Sequence, residues 1–238
     1  MELKRIVGLT GNYGSGKTEL AINLALFLAT QRKDINIIDL DIVNPYFRCR
    51  EARELMKSQG IRVIIPEGDQ VFADLPIIVP EIKGAVKSKK GTLILDIGGN
   101  DVGAKVLSHL SDSLMQDEFD LLMVLNGNRP FTETKDGAIK IMDEIENSSK
   151  FKITGILCNT HLIEFTTRET IMDGYKLACE VKEATGLPII FVAIEEKIVS
   201  LFDEGDFDHP IFPVKRYMLP PWGDSKESKE YADAKSAN

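Results

Sequence analysis

Residues 8–20 read Gly-Leu-Thr-Gly-Asn-Tyr-Gly-Ser-Gly-Lys-Thr-Glu-Leu, four glycines within nine positions followed directly by a lysine. A short β-rich apolar run, 5–10, leads into them. The stretch after them, 17–30, is apolar almost all round, the pattern of a buried helix. Glycine costs about 0.5–1 kcal/mol relative to alanine inside regular structure. Such a concentration of it between a strand and a helix marks backbone that must curl tightly around a ligand. Gly11 to Thr18 fit G-x-x-x-x-G-K-[ST], whose successive N–H groups cradle a phosphate while the following helix aims its positive end at the same group. In that pattern Lys17 reaches the β- and γ-phosphates and the Thr18 hydroxyl goes to Mg²⁺.

The rest of the chain alternates between short apolar runs and helical periodicity. Strands are expected at 5–10, 35–40, 61–65, 92–97, 121–125, 153–158 and 189–194. Helices are expected at 17–30, 47–59, 76–90, 101–115, 132–146 and 167–185. Strands separated by helices mean βαβ units. The expectation is therefore an α/β fold of the P-loop NTPase kind, a mostly parallel seven-stranded sheet with helices on both faces. That domain would occupy 1–208. Residues 209–223, with Pro210, Pro213, Pro220 and Pro221, read as an irregular strap, either docked along the domain or simply a chain end packed on the core. Residues 224–238 read as a disordered polar tail.

Two further signals stand at expected strand ends. Residues 92–96, Thr-Leu-Ile-Leu-Asp, form an apolar strand closing on Asp96, which would hold Mg²⁺ through water, and Gly98 and Gly99 behind it allow close backbone approach. Asp39 and Asp41 lie two apart at the end of the second strand. Side chains so spaced share a face, and ligands of open α/β sheets bind at that edge.

With these motifs the sequence resembles the MinD/ParA class of P-loop ATPases, grouped with cobyrinic acid synthetases, dethiobiotin synthetase and the nitrogenase iron protein. The likeness rests on the glycine-rich loop, the D-x-D after the second strand, "LILDIGG" and "ILCNT", over residues 4–200. It implies that Asp41 positions the attacking water, with Asp39 its metal-side companion, that Asp96 is the Walker B carboxylate, and that Asn159 reads the adenine edge. The implied nucleotide contacts are Gly11, Asn12, Tyr13, Gly14, Ser15, Gly16, Lys17, Thr18, Glu19 and Asn159. Lys17, Asp41 and Asp39 are the implied catalytic groups, and Thr18, Asp41 and Asp96 the metal ligands. Guanine-reading loops carry N-K-x-D, whereas residues 159–162 are Asn-Thr-His-Leu, so ATP is expected. One departure stands out. Dimerising members place a second lysine at the position of Asn12 to reach the partner's phosphates. Arg48 and Arg129, both just past strand ends, are candidate arginine fingers in its stead.

A net charge of -8 argues against nucleic-acid binding. Cys49, Cys158 and Cys179 form no closely spaced pair, which fits a reducing compartment and excludes the cluster-binding cysteines of the iron-sulfur members. No apolar run is long enough for a membrane span, and the polar tail has no apolar face, so a cytoplasmic protein without membrane contact is expected. The sequence thus predicts a Mg²⁺-dependent ATPase whose ATP/ADP state gates contact with an unidentified protein partner or with a second copy in a homodimer. The alternative is an ATP-dependent small-molecule transferase or ligase of the dethiobiotin synthetase type, with 66–76 lining its substrate pocket.

Overall fold

The computed structural model describes residues 2–40, 52–64, 80–99, 101–114 and 118–218. Eight strands form one sheet: β1 (Ile6–Thr10), β2 (Ile35–Leu40), β3 (Arg62–Ile64), β4 (Thr92–Ile97), β5 (Phe119–Leu125), β6 (Gly155–Cys158), β7 (Ile189–Glu195) and β8 (Ile211–Val214). Their spatial order is β3-β2-β4-β1-β5-β6-β7-β8, and every adjacent pair is parallel. The chain winds outward from β1 to one edge and then, from β5 on, to the other. The order therefore reverses around β1, between β4 and β5, which is where a doubly wound sheet leaves its ligand crevice.

Among the described residues six α-helices cover the sheet: α1 (Lys17–Ala29), α2 (Arg53–Ser58), α3 (Pro80–Lys87), α4 (Asp101–Ser108), α5 (Lys135–Ser149) and α6 (Arg168–Thr185). The central strands β1 and β4 are buried at every position, as strands covered on both faces must be. Two hydrophobic layers result. One sets Leu20, Leu24 and Leu28 of α1 against Val7, Leu9, Ile37 and Phe191. The other sets Ile82, Leu107, Met142, Ile171 and Val181 against Ile38, Leu95, Met123 and Ile156. Local chemistry fixes the helix ends. Thr134 caps α5 by accepting from Gly137 N, which starts that helix three residues later than its periodicity alone suggests. Thr167 and Thr170 form a reciprocal cap on α6, and Gly186, at φ 75°, ends it.

The sheet has one more strand than the seven read from sequence. β8 falls inside the proline-bearing stretch that looked irregular. It is an edge strand, and Pro213 is exposed there, where its missing N–H costs no ladder bond. Its neighbours Phe212 and Val214 are buried. The Phe212 ring stacks on Phe191 with centroids 4.6 Å apart and meets Phe27 edge-on at 5.5 Å. Residues 224–238, like 66–76, lie outside the described residues.

Gly174, inside α6, marks the tightest contact between a helix and a strand end. A Cβ there would stand 2.1 Å from Cβ of Thr160, just after β6. Gly174→Ala is expected to destabilise the protein by about 1–3 kcal/mol through overpacking, despite alanine's better helix propensity. A denaturant midpoint equal to that of the parent protein would contradict this.

Candidate functional site

The loop after β1 has the backbone its glycines foretell. Gly11, Gly14 and Gly16 sit at φ 140°, 70° and 89°, a region side chains avoid. Space demands glycine as well: a Cβ on Gly11 would lie 2.5 Å from the Val124 carbonyl oxygen, and one on Gly16 would lie 2.4 Å from Asn159 Nδ2. Lys17 and Thr18 open α1 and are both buried. Lys17 Nζ donates to Asn12 O at 3.0 Å, so the ammonium lies against the first turn of the loop. Chain leaving β4 passes equally close, since a Cβ on Gly99 would be 2.5 Å from that same Nζ.

Register brings the carboxylates together. Asp39 on β2 pairs with Asp96 on β4, and Asp96 pairs with Leu9 on β1, one residue before the strand's last. In-register neighbours project to the same face. Both aspartates are buried, at 1% and 0% exposure, a costly setting for carboxylates that a cation offsets. The two carboxylates and the buried Thr18 hydroxyl are hard oxygen donors, and donors of this chemistry fit Mg²⁺. Asp41 and Arg48 lie outside the described residues.

Hydrogen bonds tie two further strand ends to the loop. From the β5 side, Arg129 Nε donates to Gly14 O at 2.7 Å, and Asn12 Nδ2 donates to Pro130 O at 2.5 Å. From the β6 side, Asn159 Nδ2 donates to Ser15 O at 2.7 Å. The two sides are joined in turn, because Thr160 Oγ1 accepts from Gly127 N at 2.9 Å, and Asn126 exchanges hydrogen bonds with the His161 backbone. Asn159, assigned by resemblance to the adenine edge, is thus also a brace of the loop. Tyr13 points outward, 64% exposed.

Beyond the loop lies a cavity of about 520 Å³. Its lining joins Gly14, Gly16, Lys17 and Thr18 of the loop and α1 to Arg129 after β5 and to residues after β6, β7 and β8, among them His161, Glu195 and Arg216. Burial, and then the Arg129 and Arg216 charges, push the His161 imidazole down to about 4, which leaves it neutral at physiological pH. Arg216 Nη1 donates to Glu164 Oε1 at 2.8 Å, joining two lining residues.

The far wall is what sequence reasoning missed. Residues 208–218 are pinned at both ends. At one, the Tyr175 hydroxyl of α6 accepts from Asp208 N at 3.0 Å and lies 2.8 Å from His209 Nδ1. At the other, Asn23 of α1 both donates to Lys215 O and accepts from Lys215 N, and Glu19 accepts from the N–H groups of Tyr217 and Met218. Burial lifts the Glu19 carboxyl to about 7, against the lowering effect of those two N–H groups and of Arg216. Glu19 therefore builds the wall of the cavity. The only sequence signal was the mix of prolines and aromatics in 209–222, which named no destination.

No protein-family model matches the chain, and no curated protein matches it in sequence. Solved structures share its fold. It is similar to FtsY from Thermotoga maritima (TM-score 0.53, 20% identity, covering 82% of this chain and 63% of that one). It is similar to FtsY from Mycoplasma mycoides (TM-score 0.52, 18% identity, 81% and 60%). It is also similar to the signal recognition particle 54 kDa protein from Aeropyrum pernix K1 in complex with GDP (TM-score 0.51, 18% identity, 80% and 41%). The chain spans less than two thirds of each of these proteins. The fold is that of the P-loop NTPases.

The Glu19 contacts make a measurable claim. Glu19→Ala leaves two backbone N–H groups without their acceptor, at a cost of about 1–3 kcal/mol each where buried. Hydrogen exchange at Tyr217 and Met218 should quicken by about tenfold or more while the amides of β4 keep their protection. Unchanged exchange at 217 and 218 would mean that Glu19 does not hold the wall.

Proposed function

We propose that this protein is a Mg²⁺-dependent ATPase of the MinD/ParA kind, whose nucleotide state gates contact with a protein partner. The observation that carries the reading is the convergence, on one edge of the sheet at its reversal point, of the glycine loop with Lys17 and Thr18 and the in-register pair Asp39 and Asp96, with a cavity of about 520 Å³ opening beside the loop. That volume suits a small molecule. The bare backbone and lysine of its lining suit phosphates, and Asn159 and neutral His161, which border Gly16, suit a base and ribose.

ATP is the nucleotide we favour. Reading guanine needs a carboxylate to accept from N1–H and N2–H₂. Residues 160–162 supply none, and the three carboxylates at the cavity wall are engaged: Glu19 with the backbone of 217 and 218, Glu164 with Arg216, and Glu195 with Lys197 at 3.6 Å. The GDP held by the Aeropyrum pernix protein makes guanine the competitor to exclude.

In the proposed reaction Asp41 orients a water in line with the γ-phosphate. Lys17 and the loop N–H groups hold the charge that spreads over the transferred oxygens. Thr18, Asp96 and Asp41 would hold Mg²⁺, with Asp39 as their companion, and the ion would supply positive charge against the phosphates. Two exposed aromatics, Tyr13 and Phe131 (72% exposed), flank the loop where the phosphates would end. Their position supports a protein partner that senses the γ-phosphate.

Calorimetric titration with Mg-ATP and Mg-GTP, together with phosphate-release assays, tests this. Lys17→Ala should lose turnover and most nucleotide affinity, and turnover equal to that of the parent protein would overturn the assignment. Asp41→Ala should keep binding and lose hydrolysis. GTP displacing ATP at equal concentration would replace adenine by guanine and leave the hydrolase reading standing. Light scattering should give a doubled mass with a non-hydrolysable Mg-ATP analogue if the partner is a second copy, and an unchanged mass if it is another protein.

A further inference from the structure

We infer that Arg129 serves the phosphates of the nucleotide bound by its own chain, so that this protein carries its stimulating arginine in cis. The inference rests on the reading of the site as a nucleoside triphosphatase and specifies where its second cation comes from. Arg129 holds Gly14 O through Nε alone. Its two terminal amino groups, the fork that grips phosphate oxygens in pairs, make no hydrogen bond or ion pair among the described residues. The guanidinium nevertheless lies beside Gly14, and Arg129 lines the same cavity as Gly16, Lys17 and Thr18. A half-buried cation facing such a cradle, with no carboxylate paired to it among the described residues, is set to receive an anion.

The arginine is also preorganised. Its guanidinium lies over Gly14 in space that a side chain would fill, since a Cβ there would be 3.2 Å from Nε and 3.3 Å from Cζ. Its own backbone is fixed in a tight loop, where Arg129 N donates to Asn126 O and Arg129 O accepts from Thr132 N. Thr132 Oγ1, buried, closes the same turn on Asn126 O at 2.8 Å. The next residue, Pro130, is clamped to the glycine loop by Asn12. Asn12 occupies the position where a lysine would cross to a partner, and its amide instead fastens the arginine-bearing loop to the same chain. A group held in advance of the reaction loses little freedom when the substrate arrives.

Two experiments with the full chain decide it. Phosphate release is measured for Arg129→Gln and Arg129→Ala, with folding checked by thermal unfolding. Gln keeps a donor for Gly14 O without the charge. Both variants should lower kcat by about tenfold to a thousandfold, arginine fingers being worth up to 10³–10⁵ in rate, with the Gln variant unfolding at the parent temperature. A Gln variant as active as the parent protein would make Arg129 a strut for the loop and overturn the inference. Arg129→Ala is then mixed with an equal amount of Lys17→Ala. A cis arginine predicts no recovery, because neither chain has both cations. An arginine donated across a dimer would restore turnover on the Arg129→Ala chain, which also overturns the inference. Absence of nucleotide binding by the parent protein itself would remove both the reading of the site and this inference, and it is separable because it precedes any substitution.

Discussion

Parallel pairing puts the carboxyl end of every strand on one edge of the sheet, and the site is a product of that geometry. Where neighbours run the same way, a residue near the end of β2 stands beside one near the end of β4, so Asp39 and Asp96 meet without any contact having to be built for them. The glycine loop leaves the same edge from β1, between β4 and β5, and the loops after β5 and β6 close on it from the other side. An antiparallel β4 would have sent Asp96 to the opposite rim. The core packing that holds the strands in register is therefore what positions the carboxylates, and the hydrogen bonds among the loops refine a convergence that the sheet has already imposed.

Those hydrogen bonds make the glycine loop part of a closed circuit. Gly14 is held by Arg129, Ser15 by Asn159, and the two holders are linked through Asn126, Gly127 and Thr160. Apart from Arg129, each member is a backbone group or a short side chain with little rotamer freedom, so the circuit resists distortion at small entropic cost. Gly174 closes it from behind, because any side chain there would push on Thr160. Rigidity of this kind is what preorganised charge stabilisation requires.

The residues that carry local signals were readable from sequence. The loop announces itself because glycine spacing, the lysine and the flanking strand and helix lie close together along the chain. Seven strands were legible because buried parallel strands are continuous apolar runs. β8 was not, because its prolines forbid a central strand and only its place at the edge makes them harmless. Glu19 was placed at the site by its neighbours in sequence, but its role is set by N–H groups 198 and 199 positions away, and no pattern along the chain encodes such a pairing. Asn159 was read for a base edge, whereas its bond to Ser15 depends on how closely β6 approaches the loop. Contacts of this sort stay hidden in a sequence wherever they depend on long-range approach rather than on composition.

The wall formed by residues 215–218 also sets a timetable. The glycine loop and α1 precede this wall by almost two hundred residues, and Asn23 and Glu19 of α1 are what hold it. A nascent chain that has completed β1 to β7 owns a cradle with one side missing. Closure waits for β8 to reach the edge of the sheet and for Asn23 and Glu19 to capture residues 215, 217 and 218, a pairing of high sequence separation and hence a slow, late event in folding. A ligand bound there would act as a clasp, joining stretches of chain almost two hundred positions apart and raising the cost of opening between them.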